Sequence, residues 1–106
     1  MANNAGKATT TTPTIATATS TQLLAANGYR KLLVIQNNSA ADVAIGLDGE
    51  TLTGIAPTST NKCYVLKSTA GLNILRFDNN FVPSGAITCY QTSGSPINTV
   101  TVVEGV

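Results

Sequence analysis

The sequence predicts an all-β domain, an antiparallel β-sandwich of jelly-roll-like or Ig-like kind with an extended N-terminal arm. Three observations predict it. Turn-forming clusters recur about every 8–14 residues from residue 22 onward, the spacing expected of a sandwich or barrel. The segments between them are short and rich in Val, Ile, Leu and Thr, residues that suit a pleated, half-buried surface. No stretch carries apolar residues at the 3.6-residue period of an amphipathic helix.

Each element follows from its own residues. Positions 1–21 form the arm, centred on the Thr/Ala-rich stretch from Lys7 to Thr21. Threonine is stiff at its first side-chain torsion and prefers extended backbone. Pro13 rules out a helix interior and a central strand there. The later part of the arm is expected to join a sheet edge near Ile15. The alternatives are a frayed tail, which termini commonly form, or a strand donated to a neighbouring subunit. Residues 22–106 form the sandwich. Leu23 to Ala26 allows one helical turn, too short to stand as a helix alone.

Arg30 to Gln36 is apolar on both faces, as a central strand should be, with turn signals at Asn27-Gly28 and Asn37-Asn38-Ser39. From Ala41 to Leu47, Ala41, Val43, Ile45 and Leu47 share one face, and Asp42, Ala44 and Gly46 the other. Asp48-Gly49 reads as a hairpin turn. A short strand is expected at 50–55, a break at 56–61, and strands at 62–67 and 72–77 separated by a turn at 68–71. Asp78-Asn-Asn80 ends the second of these. The loop 81–85 leads to a strand at 86–91, a turn at 93–96 and a last strand at 98–104.

Composition narrows the function. Only 10% of residues are charged, against about 25% in ordinary domains, while 42% are apolar. Six Lys/Arg and five Asp/Glu leave a net charge of +1 with no basic stripe, so no nucleic-acid partner is expected. Near-zero charge favours association over colloidal solubility, which suits a protein living in an assembly. No apolar run approaches the roughly 20 residues of a membrane helix, and no membrane partner is expected. The first seven residues lack the apolar core of a signal peptide, so synthesis in a cytoplasm is expected. Cys63 and Cys89 then read as reduced, small core residues, with a disulfide formed after lysis as the alternative.

Catalytic chemistry finds little to work with, and no enzyme, cofactor or metal is expected. The chain has no histidine, which removes the commonest general base and zinc ligand. Ser59-Thr-Asn-Lys62 matches S-x-x-K, a nucleophile and base one helical turn apart. Here Lys62 opens an expected strand, so the two side chains would not converge. Asp48, Glu50 and Asp78 lie in turns without the spacing of a calcium loop, and read as solvated. Tyr29 and Phe81 fall in expected turns, which marks them as exposed aromatics. With Pro13 and Ile15 of the arm they are the candidate interface residues, because aromatic residues are enriched at interface centres.

Residues 23–47 carry a further signal. Asn27-Gly-Tyr-Arg-Lys31 precedes an apolar strand, then Gln36-Asn-Asn-Ser39, then Ala41-Asp-Val-Ala-Ile-Gly46. This order resembles small virion proteins of tailed bacteriophages. Pro83-Ser-Gly-Ala-Ile87 and Val100-Thr-Val-Val-Glu-Gly105 resemble them too. The likeness spans 23–106 loosely. The arm has no counterpart, and the section 49–82 is longer than in the shorter members. The family includes capsid decoration or cement proteins, head-fibre bases and tail accessory proteins. The resemblance implies a β-sandwich, often trimeric, that locks onto the major capsid protein on the virion surface. The leading expectation is therefore a decoration protein that stabilises the shell. A tail, adaptor or fibre component is the runner-up, and a carbohydrate-binding module is a third reading.

Overall fold

A computed structural model describes residues 6–78 and 80–106. The first five residues of the expected arm, and Asn79 of the expected turn, lie outside the described residues. Among the described residues eight strands run in chain order: β1 (Ala8–Thr11), β2 (Thr21–Leu24), β3 (Leu32–Asn37), β4 (Val43–Gly46), β5 (Tyr64–Leu66), β6 (Ile74–Asp78), β7 (Ile87–Gln91) and β8 (Val100–Gly105). No helix occurs among the described residues.

The pairing has a simple logic. β1 pairs with β8, β2 with β7, β3 with β6 and β4 with β5, all antiparallel. The chain is thus one antiparallel ribbon doubled back on itself. The ribbon then wraps, so that β8 also lies on β3 and β7 on β4. Two four-stranded sheets result, ordered β1-β8-β3-β6 and β2-β7-β4-β5. This is the double Greek key of a jelly roll. An Ig-like sandwich instead places several successive strands side by side in one sheet. Here only β4 and β5 are neighbours in both sequence and sheet.

The core lies between the sheets. β3 alternates half-buried and buried residues, so Leu33, Ile35 and Asn37 point inward. Val100 and Val102 of β8 join them, facing Val43 and Ile45 of β4 and Ile87 and Cys89 of β7. Burying each such side chain contributes roughly 1.5–3 kcal/mol. As expected, β3 is an interior strand, held by β8 on one side and β6 on the other.

Two segments depart from the sequence reading. The stretch 50–55 is not a strand. It crosses the outer face of β4 and β7 instead of adding to an edge, so it has no strand to pair with. Leu52 is buried there, and Thr88 Oγ1 donates to the Glu50 carbonyl at 2.6 Å. Gly46 makes the crossing possible, since a Cβ there would lie 2.4 Å from Thr88 Oγ1 and 3.0 Å from Leu52 Cδ2. All four residues of β4 are consequently buried, where one face was expected to be open. The turn before this segment keeps its expected chemistry. Asp48 and Gly49 both have positive φ, 55° and 75°, and Glu50 N–H bonds to the Leu47 carbonyl. That is a type I′ turn.

The second departure concerns the N-terminal segment. It is extended, as the sequence predicts, and it is built into the sandwich from Lys7 onward rather than lying apart from it. β1 forms the sheet edge on β8, and Ile15 exchanges backbone bonds of 2.7 and 3.1 Å with Ile97. Ile15 is fully buried. Thr21 to Leu24, at the expected boundary of arm and domain, is strand β2, with a bulge between Gln22 and Leu24.

Loops are fastened mainly by buried neutral amides, which fits a chain poor in charge. Asn37 Nδ2 donates to the carbonyls of Ala41 and Leu66, while its Oδ1 accepts from Ser39. Asn61 gathers the 53–61 loop through Gly54, Ala56 and Thr53. Gln91 ties the Ile15 and Ser95 carbonyls to β7. Among the described residues no buried side-chain N or O lacks a partner. An unsatisfied buried polar group would cost about 1–3 kcal/mol each.

Cys63 and Cys89 are both free. Cys89 is fully buried, and burial pushes its thiol up to about 12, against a small lowering from a backbone hydrogen bond. Burial also raises the half-buried Cys63 thiol. Thiolate is the reactive form. A thiol reagent at pH 8 is therefore expected to modify Cys63 slowly and Cys89 only after denaturation. Equal rapid labelling of both in the folded protein would contradict this core assignment.

Candidate interaction surface

Jelly-roll wrapping sorts the loops between two ends of the sandwich. The β2–β3, β4–β5 and β6–β7 connections meet at one of them. Asn27 N–H bonds to the Ser84 carbonyl and Gly49 N–H to the Ala86 carbonyl, both at 2.7 Å. Gly85 lies so close to Asp48 that a Cβ there would sit 2.6 Å from the Asp48 Cα. Only glycine fits this contact between loops.

Arg30 fastens this end. Its side chain is wholly buried, two residues before β3 begins. Nε donates to Glu104 Oε2 at 2.8 Å, Nη2 to the Ala25 carbonyl at 2.9 Å, and Nη1 to the carbonyls of Pro83 and Gly85. One planar fork thereby joins the β2–β3 loop, the β6–β7 loop and strand β8. Four of the guanidinium's five N–H donors are engaged within the chain, so it serves as a staple.

Two aromatics stand outward from the loops that the staple joins. Tyr29, the residue before Arg30, is 82% exposed, and Phe81 is 64% exposed. Tyr29 is positioned by an Asx turn: Asn27 Oδ1 accepts its N–H at 3.0 Å. Phe81 rests edge-on against Phe77, with ring centroids 6.1 Å apart. A shallow cleft of about 440 Å³ beside Phe81 is bordered by Arg30, Lys31 and Val82. A second cleft of about 390 Å³ opens near the turn at 48–49. Ile45 and Leu47 form its apolar part, with Asp48, Glu50, Lys62 and Tyr64 around them.

Of the four residues singled out in the sequence, the structure thus brings Tyr29 and Phe81 to one end and exposes both. Pro13 is half-buried, away from them in the β1–β2 connection. Ile15 presents no surface, because the sandwich closes over it. Sequence reasoning missed Tyr64, Leu72 and Ile74, all more than half exposed. For Ile74 a signal existed. It shares a face of β6 with Arg76, which forms an exposed ion pair with Asp78 at 2.9 Å, while Leu75 and Phe77 take the inner face.

At the other end, Asp42 accepts from the Ser68 N–H at 3.1 Å and from Lys67 Nζ at 3.2 Å. The Ser68 bond, then Lys67, holds its carboxyl below the usual range. This end carries no aromatic among its described loops. No family model, no curated protein and no solved structure matches the chain.

Proposed function

We propose that the chain is a non-catalytic structural protein of a tailed-bacteriophage virion, a decoration or cement protein that grips the outer capsid surface through the Tyr29–Phe81 end. One observation carries the reading: two aromatics stand 82% and 64% exposed on two loops that one buried arginine ties together. Exposed aromatics on tied loops lose little entropy on docking, which suits interface anchors. The resemblance over 23–106 supports the capsid as the target, and jelly rolls serve in viral capsid proteins. Fold alone does not decide function, so the weight rests on the surface. Binding that favours the mature shell would stabilise it by mass action.

Co-sedimentation with emptied shells assembled without the protein tests this reading. Wild-type protein is expected to pellet with the shells, and the Tyr29→Ala/Phe81→Ala variant to stay in the supernatant with an unchanged melting temperature. Equal pelleting of both, or of neither, would refute it.

A carbohydrate-binding module is the second reading, favoured by Tyr64 standing beside Asp48 and Glu50 in the second cleft. It requires glycan-array binding by the isolated protein, which the capsid reading does not.

A further inference from the structure

Strand β1 is held in an unusual way. All four residues, Ala8 to Thr11, are exposed on both faces. None of its side chains is buried, so the hydrophobic effect contributes little to keeping it in place. What keeps it is the backbone ladder to β8, in the register Ala8 with Gly105 through Thr11 with Val102. Two more bonds extend that ladder at its end, Lys7 N–H to the Val106 carbonyl at 3.1 Å and Val106 N–H to the Lys7 carbonyl at 2.9 Å.

The link to the body is equally loose. Ile15 anchors in the core through its side chain and its bonds with Ile97. Between the anchor and β1 lie Thr12, Pro13 and Thr14. Among the described residues, none of the three makes a backbone–backbone bond outside the strands. Pro13 has no N–H to offer and holds its own φ near −65°, which keeps this link extended. The link thus joins β1 to the body without backbone bonds of its own and ends at the buried Ile15.

We propose that β1 is exchanged between copies of this chain, each copy laying its β1 on the β8 edge of a neighbour. A second copy offers the β8 edge the same occupant that the edge already holds within one chain. The residue next to Val106 must be glycine, because a Cβ at Gly6 would lie 2.6 Å from the Val106 carbonyl oxygen. This chain's own Gly6-Lys-Ala-Thr-Thr-Thr11 meets that demand in a register already defined. Exchange replaces each ladder bond by an identical one, so the strand itself gains or loses nothing. The balance is then set by the further surface that the copies bury together against the freedom they lose on joining, the usual logic of swapping an identical element. A net charge of +1 opposes the approach of two copies only weakly. The three-residue link spans about 10 Å when extended, enough to cross to an adjacent edge. The inference concerns how copies join one another and stands whether or not the capsid is the target.

Directed cross-linking tests it. Thr10 and Val103 are register partners, and both lie off the core. In a Cys63→Ser background, one preparation carries Thr10→Cys and the other Val103→Cys. The two are unfolded together, refolded, and oxidised mildly. Exchange predicts a covalent pair joining one chain of each kind as the main product. A third protein carrying both substitutions reports on folding, since it closes only where β1 meets β8. If it closes within single chains while the mixture stays monomeric, the proposal is overturned. A main product joining two Thr10→Cys chains would also overturn it, by showing edges paired side by side without exchange.

Discussion

Replacing Arg30 with methionine is expected to destabilise the domain by about 3–5 kcal/mol, the usual cost of removing one member of a buried ion pair. The cause is what remains behind. Glu104, with a side chain only 19% exposed, loses its partner at 2.8 Å. The carbonyls of Ala25, Pro83 and Gly85 lose their donors at the same time. Urea unfolding measures the loss, and the melting temperature should fall by at least about 12 °C. Lysine should not restore stability, because a single ammonium does not reproduce the fork that reaches three chain segments. The double change Arg30→Met/Glu104→Leu should recover part of the loss, since no buried charge is then left alone. A single variant that unfolds like wild type would show that the loops at this end are held by something else.

The second large effect is expected at Ile15. Ile15→Ala removes a fully buried side chain and should cost about 2–5 kcal/mol, or roughly 8–20 °C in melting temperature. Thr9→Ala, six residues earlier on exposed β1, should change stability by less than about 0.5 kcal/mol. The contrast places the boundary between edge strand and core inside the stretch that the sequence presents as one Thr-rich arm. Equal small effects at both positions would mean that Ile15 is not seated between the sheets.

These two residues show what could be read from sequence and what could not. The strands at 32–37, 43–46, 87–91 and 100–105 were legible because alternation and turn residues are local signals, and local signals survive in one dimension. Tyr29 and Phe81 were legible as exposed because each sits in a turn. Ile15 was not legible as core. It is a lone apolar residue among threonines, and its burial depends on Ile97, far along the chain and brought beside it only by the ribbon's wrapping. Arg30 reads as the first residue of the expected 30–36 strand, since its partners are Glu104, far along the chain, and backbone carbonyls that sequence does not display. The segment 50–55 has the composition of a strand, but both sides of β4, the strand before it, are taken by β5 and β7. It was drawn across a sheet face by the opening at Gly46. Arg30, two residues before the 32–37 strand, and Asn37, its last residue, turn out to be the staples of the two ends.

Amide hydrogen exchange, followed with and without emptied shells, tests the central claim most directly. If the protein works by gripping a surface through its aromatic end, slowed exchange will appear at 27–31 and 80–86 and stay absent from 38–42 and 67–73. Protection confined to those latter loops, or no change anywhere when shells are added, would contradict it.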